Sequence, residues 1–122
     1  MRTILGLAAA LALAGCGPTL TPLAVISPRG DVLTGIVRAS MSGGSFHASN
    51  AALACSGVYD ATSQDAAIPF SMSCSDGRQG IGTAYRNSTR QGGSGTVHLD
   101  DGQDFRFIFG PEAQIMRAKV GA

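Results

Sequence analysis

The stretch Ile68-Pro69-Phe70-Ser71-Met72-Ser73-Cys74-Ser75-Asp76-Gly77-Arg78-Gln79-Gly80-Ile81-Gly82 decides how the chain is read. Ile68, Phe70, Met72 and Cys74 occupy alternate positions. Successive side chains of a strand point to opposite faces, so these four mark one buried face of a β-strand. Asp76-Gly77 then carries the turn chemistry of a hairpin, and Gly80 and Gly82 fall in the returning strand. Read as a two-residue type I′ loop, Asp76-Gly77 sets Met72 opposite Ile81, apolar against apolar.

The pattern extends outward from this hairpin. Leu33, Val37, Ala39 and Met41 share one parity before a turn at Gly43-Gly44. Leu53, Cys55 and Tyr59 share a parity in the next segment, and Phe105, Phe107 and Phe109 in the last. A two-residue loop at Asp101-Gly102 would set Val97 against Arg106 and mix faces. A loop of Asp100 to Gly102, with the glycine left-handed, pairs Val97 with Phe105 and is preferred, because a slip of one residue turns every side chain over. Short alternating runs between glycine turns predict an all-β domain: a small antiparallel meander, as a curled sheet or a small barrel. Gly80, Gly82, Gly93 and Gly95 lie in or beside strands, where they permit strong bending. Ser75 to Gly82 is partly echoed by Gly93 to Gly102, through a duplicated hairpin or through glycine bias alone.

The amino terminus has a different character. Arg2 precedes an unbroken apolar run from Ile4 to Ala14, which Gly15-Cys16-Gly17-Pro18 stops. A basic start, an apolar centre and small residues before a cut are the parts of a secretory signal peptide. The run is well short of the roughly 20 residues that a spanning helix needs. Leu13-Ala14-Gly15-Cys16 resembles the lipobox of bacterial lipoproteins at all four positions. The resemblance implies that the Cys16 thiol receives a diacylglyceryl group, that cleavage leaves Cys16 as the first residue, and that its amine is acylated, typically with palmitate. The alternative is an ordinary secretory signal beside an unrelated cysteine. Several acyl chains hold a protein firmly, where one anchors only marginally. Gly17 after the cysteine, in place of a retaining aspartate, implies the periplasmic face of the outer membrane in a Gram-negative host.

The expected organisation is therefore a lipoprotein signal peptide over residues 1–15, a lipid-anchored Pro-containing tether over 16–30, a β domain over 31–110 and a C-terminal tail over 111–122. Pro18, Pro22 and Pro28 exclude a continuous helix in the tether, although Leu23-Ala24-Val25-Ile26 is readable as a first edge strand. After Gly110-Pro111 the tail either forms one amphipathic turn, with Ile115 and Met116 packing, or stays loose.

With Cys16 assigned to lipid, Cys55 and Cys74 remain as a pair, and an exported chain sits where such pairs persist as disulfides. Zinc is disfavoured because no Cys-x-x-Cys or histidine cluster supplies four ligands. The spacing also lacks a Cys-x-x-Cys redox motif. Of 9 basic residues Arg2 leaves with the signal, so 8 face 8 acidic ones and no electrostatic case arises for nucleic acid or for an anionic surface; the lipid, not a basic patch, is expected to make the membrane attachment.

No phosphate-binding glycine loop is present, and no cofactor is indicated. Ser56, His98 and Asp100 can be set out on paper as a nucleophilic triad, but strand neighbours face opposite ways and nothing orients the serine. Asp100, Asp101 and Asp104 lack the calcium-loop spacing, and a hairpin turn explains them. Arg78, Arg86, Arg90 and Arg106 are scattered.

Cys55-Ser56-Gly57-x-Tyr59, Cys74-Ser75-Asp76-Gly77-Arg78-x-Gly80 and Asp101-Gly102-x-x-Phe105-x-Phe107-x-Phe109-Gly110 resemble a pattern in small proteobacterial envelope lipoproteins, a likeness that implies no activity. Ser56-Gly57-Val58-Tyr59 is also similar to the Ser-Gly-x-x-Tyr motif of lipid-anchored lysozyme inhibitors, one residue short and without that family's basic residue. The expected function is a non-enzymatic envelope lipoprotein, attached to the membrane through Cys16, whose β domain binds a partner such as an envelope protein or plays a structural role. A lysozyme inhibitor and a small hydrolase are the alternatives.

Overall fold

Eight strands follow one another with short connections: β1 (Thr19–Ile26), β2 (Val32–Ser40), β3 (Gly43–Ser49), β4 (Ala54–Tyr59), β5 (Ala67–Cys74), β6 (Gln79–Arg86), β7 (Gly93–Leu99) and β8 (Asp104–Phe109). The computed structural model describes residues 19–88 and 91–115. Each strand pairs antiparallel with the next, and β8 returns to β1, closing a barrel without free edges.

The alternation read from the sequence defines the wall. Leu33, Val37 and Ala39 of β2 face inward, as do Cys55 and Tyr59 of β4, Ile68 to Cys74 at even positions of β5, and Phe105, Phe107 and Phe109 of β8. Met41 departs from its set, because it sits in the β2–β3 turn and is 95% exposed. Outward positions carry Ser45, His47, Ser56, Ser71, Ser73, Thr96 and His98, all exposed. The outer wall mixes these polar residues with the exposed Leu20, Val58, Ile81 and Tyr85, whereas a membrane-spanning barrel turns a continuous apolar band to lipid.

The expected tether ends earlier than residue 30, because β1 occupies Thr19–Ile26 and Leu23 and Val25 belong to the core. Pro22 is accommodated because its carbonyl accepts the Gly110 N–H at 2.9 Å on the β8 side. A strand residue turns its nitrogen and carbonyl to the same edge, so the missing donor faces a ladder that already ends at Leu23–Phe109. The tail forms one helical turn over residues 111–115, in which Ala113 is buried while Ile115 is 61% exposed. The packing expected of Ile115 is thus corrected; Met116 lies outside the described residues.

Three hairpins at one end of the barrel share a single turn. In each, a glycine at φ near +90° donates its N–H three residues back, and the residue before the loop donates to the residue after it. The turns are Ser27–Asp31 around Gly30, Cys74–Arg78 around Gly77, and Leu99–Gln103 around Gly102. Val97 pairs with Phe105 as expected. The expected register at Asp76-Gly77 is corrected: Met72 pairs with Gly80 and Ser71 with Ile81. The cause is the left-handed glycine, which closes a longer loop than type I′. Ile81 consequently points outward, 72% exposed, and Gly80 takes the inward place beside Leu99.

These turns cap the end filled by Leu33, Leu99, Phe105 and the Cys55–Cys74 disulfide, which joins paired positions of β4 and β5 with Cα atoms 4.0 Å apart. Arg78 clamps two of the turns, donating to Asp76 at 2.8 Å, Asp101 at 3.1 Å and Gln103 at 3.0 Å, with its guanidinium 5.3 Å from the Phe105 ring centre. The Gln103 backbone N–H holds the Asp101 carboxyl below its ordinary pKa against the opposing effect of burial, and the Arg78 hydrogen bond and charge lower it further. A depressed carboxyl pKa stabilises the fold above the unfolded value and loses that effect as pH falls through the folded value. Asp101→Asn is therefore expected to lower the melting temperature at neutral pH, by an amount that shrinks below about pH 4. A difference between the two proteins that is constant from pH 7 to pH 2.5 would exclude this role.

Candidate ligand site: a cavity at the open end of the barrel

The other end of the barrel is not filled. Inward positions alternate aromatic residues with glycine on neighbouring strands: Phe46 pairs with Gly57, Tyr59 with Gly44, Phe70 with Gly82, Phe107 with Gly95 and Phe109 with Gly93. At every pair a Cβ on the glycine would meet the partner's ring at 2.4–2.7 Å, so the outer end of each ring takes the space over a position that lacks a side chain. Phe46, Phe70 and Phe107, from the non-neighbouring strands β3, β5 and β8, meet edge to face at 5.2 and 5.3 Å between centres. A cavity of about 200 Å³ remains inside, with Val25, Met72, Val97 and Phe107 deep in it and Thr21, Ala39 and Tyr59 near the mouth. Eight strands enclose an interior that side chains can just fill or that can hold one small ligand.

Polar chemistry is confined to the rim. Arg86, at the last position of β6, is the one charged residue in the cavity lining among the described residues. Its Nη1 donates to the backbone carbonyls of Ser63 at 2.9 Å and Asp65 at 3.0 Å, which fastens the β4–β5 connection beside the mouth. The Tyr59 hydroxyl donates to the Arg38 carbonyl at 3.3 Å. Burial raises its pKa, with the Arg86 charge pulling the other way, so the phenol stays neutral and able to donate at physiological pH. The site offers an apolar body with a cationic and a hydroxylic group at one end. Among the described residues, the lining sets no general base beside a nucleophile.

The sequence-derived candidates fall elsewhere. Cys16 and residues 1–15 lie outside the described residues. Cys55 and Cys74 form the buried disulfide at the closed end. Ser56 lies on β4 opposite His47 and Ser73, whereas His98 lies on β7 and bonds Asp104 through Nδ1 at 2.6 Å, so Ser56, His98 and Asp100 are not assembled. Asp101 is turned to Arg78 and Asp104 to His98, which leaves these carboxylates without a common centre. In the Ser56-Gly57-Val58-Tyr59 segment the serine faces solvent, the glycine is covered by Phe46 and the tyrosine faces the cavity. A strand so divided does not present these residues together to a partner's cleft. Sequence reasoning missed Phe46, Ala84 and Arg86, although Ala84 and Arg86 share the parity of Gly80 and Gly82, a signal present in the residues.

No protein-family model matches the chain, and no curated protein matches it in sequence. Among solved structures it is similar to a de novo designed fluorescence-activating β-barrel, at a TM-score of 0.57 and 18% identity over 80% of this chain and 94% of the designed one. That likeness is one of fold.

Proposed function

We propose that the protein is a lipid-anchored envelope lipoprotein whose barrel binds one small amphipathic molecule in the internal cavity without acting on it chemically. The observation that carries the binding reading is the apolar cavity at the open end, rimmed by Arg86 and Tyr59. A core of this size ordinarily fills its interior to crystal-like density. Here five glycines give up their side-chain volume to the rings, and a cavity of about 200 Å³ remains. A ligand with an apolar body and an anionic or carbonyl head matches both the lining and the rim. The lipid on Cys16 and a location at the outer membrane follow from the lipobox and Gly17. The designed barrel supports the reading to the extent that it, as its description says, activates fluorescence.

The test uses the mature chain with Cys16→Ser, so that no acyl group of its own competes, and a dansyl-labelled medium-chain fatty acid as the probe. Wild-type barrel is expected to enhance and blue-shift the dansyl emission, and decanoate is expected to reverse it. Thr21→Phe, which adds a ring at the cavity rim, is expected to weaken binding at least ten-fold while far-UV dichroism is retained. An emission that is unchanged by the wild-type barrel, or equal for Thr21→Phe, would rule the cavity out as the binding site.

A further inference from the structure

We infer that the open end of the barrel is a membrane-seating surface, resting on the anionic phospholipid leaflet that carries the protein's own anchor, so that the cavity opens toward the bilayer interface. This rests on the lipid-anchored reading of Cys16, and three independent observations support it.

The first is chain length. Residue 16 is three steps from Thr19, where β1 begins, and three residues reach at most about 10 Å. Thr19 pairs with Ala39, next to the last residue of β2, so β1 begins at the mouth. The closed end lies roughly 20 Å farther along tilted strands of this length, beyond the reach of that link. An acylated Cys16 therefore holds the mouth, or at most the wall, against the membrane.

The second is the distribution of exposed apolar side chains. Leu20, Met41 and Ile115 sit at the mouth, and Val58 and Tyr85 on the outer wall one residue below it. Ile81, farther down the wall, is the one other large exposed hydrophobic among the described residues. The closed end presents none, although it is the end with three hairpin turns of the same form. Apolar side chains at a rim enter the headgroup boundary, typically to about 5–10 Å.

The third is charge. The closed end carries Asp31, Asp76, Asp100, Asp101 and Asp104 against Arg29, Arg78 and Arg106. Five of the eight acidic residues are thus gathered at the end farthest from the anchor. An anionic leaflet repels this acidic tip. With the mouth so placed, Arg86 stands at headgroup level above an apolar interior, and a single-chain anionic lipid can pass from leaflet to cavity without crossing water.

The chain has no tryptophan, so an introduced one is the sole indole reporter. Full-length lipidated Met41→Trp (mouth) and Ala51→Trp (β3–β4 turn, closed end) are reconstituted into phosphatidylglycerol-containing vesicles whose lipids are brominated near the headgroup. Quenching several-fold stronger for Met41→Trp than for Ala51→Trp is the expected result. Equal or reversed quenching overturns the seating, and protein that fails to float with the vesicles overturns the anchor and the seating together. The outcome is separable from ligand binding: probe uptake by the Cys16→Ser chain without preferential quenching removes the seating alone. Preferential quenching without uptake sustains the seating and removes the cavity reading.

Discussion

Gly57→Ala is expected to destabilise the barrel by about 3 kcal/mol, the upper part of the range for overpacking an interior. Gly57 faces inward on β4, between Phe46 of β3 and Met72 of β5. A Cβ there would stand 2.0 Å from the Ser71 carbonyl oxygen and 2.5 Å from the tip of the Phe46 ring. The ring can swing away, but the carbonyl belongs to the neighbouring strand, so relief requires β4 and β5 to part. At this chain length the loss corresponds to a fall in melting temperature of roughly 12–24 °C. Ser56→Ala, one residue away on the exposed outer face, is expected to change stability by no more than about 0.5 kcal/mol. If thermal unfolding of Gly57→Ala fell within about 2 °C of wild type, the close approach of the strands at this point would be wrong.

Removal of the disulfide by Cys55→Ala with Cys74→Ala is expected to cost a similar amount. The two cysteines are 19 residues apart and both buried at the closed end. In the chain-entropy description, closing a loop of that length restricts the unfolded chain by about 3 kcal/mol. The effect acts on the unfolded state, so the folded barrel, already held by paired β4 and β5, should keep its far-UV spectrum below the lowered melting point. Reducing agent should lower the melting temperature of wild type to that of the double variant and leave the variant unmoved. A variant that melts with wild type, or that responds equally to reductant, would contradict this.

How much of this was legible in the sequence depends on what alternation can encode. The inward sets of β2, β4, β5 and β8 were readable because side chains alternate without exception along a strand, and the Asp101-Gly102 register followed from refusing to mix faces. The same reasoning failed at Asp76-Gly77, where apolar Ile81 opposite apolar Met72 looked right. Alternation cannot show that the interior there has no room: a Cβ at Gly80 would already lie 2.6 Å from the His98 carbonyl oxygen. Of β1 only Leu23–Ile26 was readable as a strand, and then as the alternative to a tether, because Pro22 and Pro28 act as a tether's prolines in isolation. Pro22 is tolerated only because β8 has ended beside it, and Pro28 because it stands inside a turn, both of which are facts of tertiary structure. The cavity was illegible for a related reason. Gly82 and Gly95 were readable as sites of bending, but that each also yields its volume to a ring on the next strand appears only once the strands are paired. Arg86 was one scattered cation in the chain and becomes the charged member of the rim through its register opposite Gly93.

The central claim is that this barrel works while tethered to a membrane through Cys16, and intact mass of the protein extracted from membranes tests it most directly. The account predicts a chain that begins at Cys16, carries diacylglyceryl and acyl mass, and gains two hydrogens on reduction of the Cys55–Cys74 bond. A chain without lipid mass, or one cleaved elsewhere with Cys16 as a free thiol, would contradict the anchor and the membrane-facing mouth that depends on it.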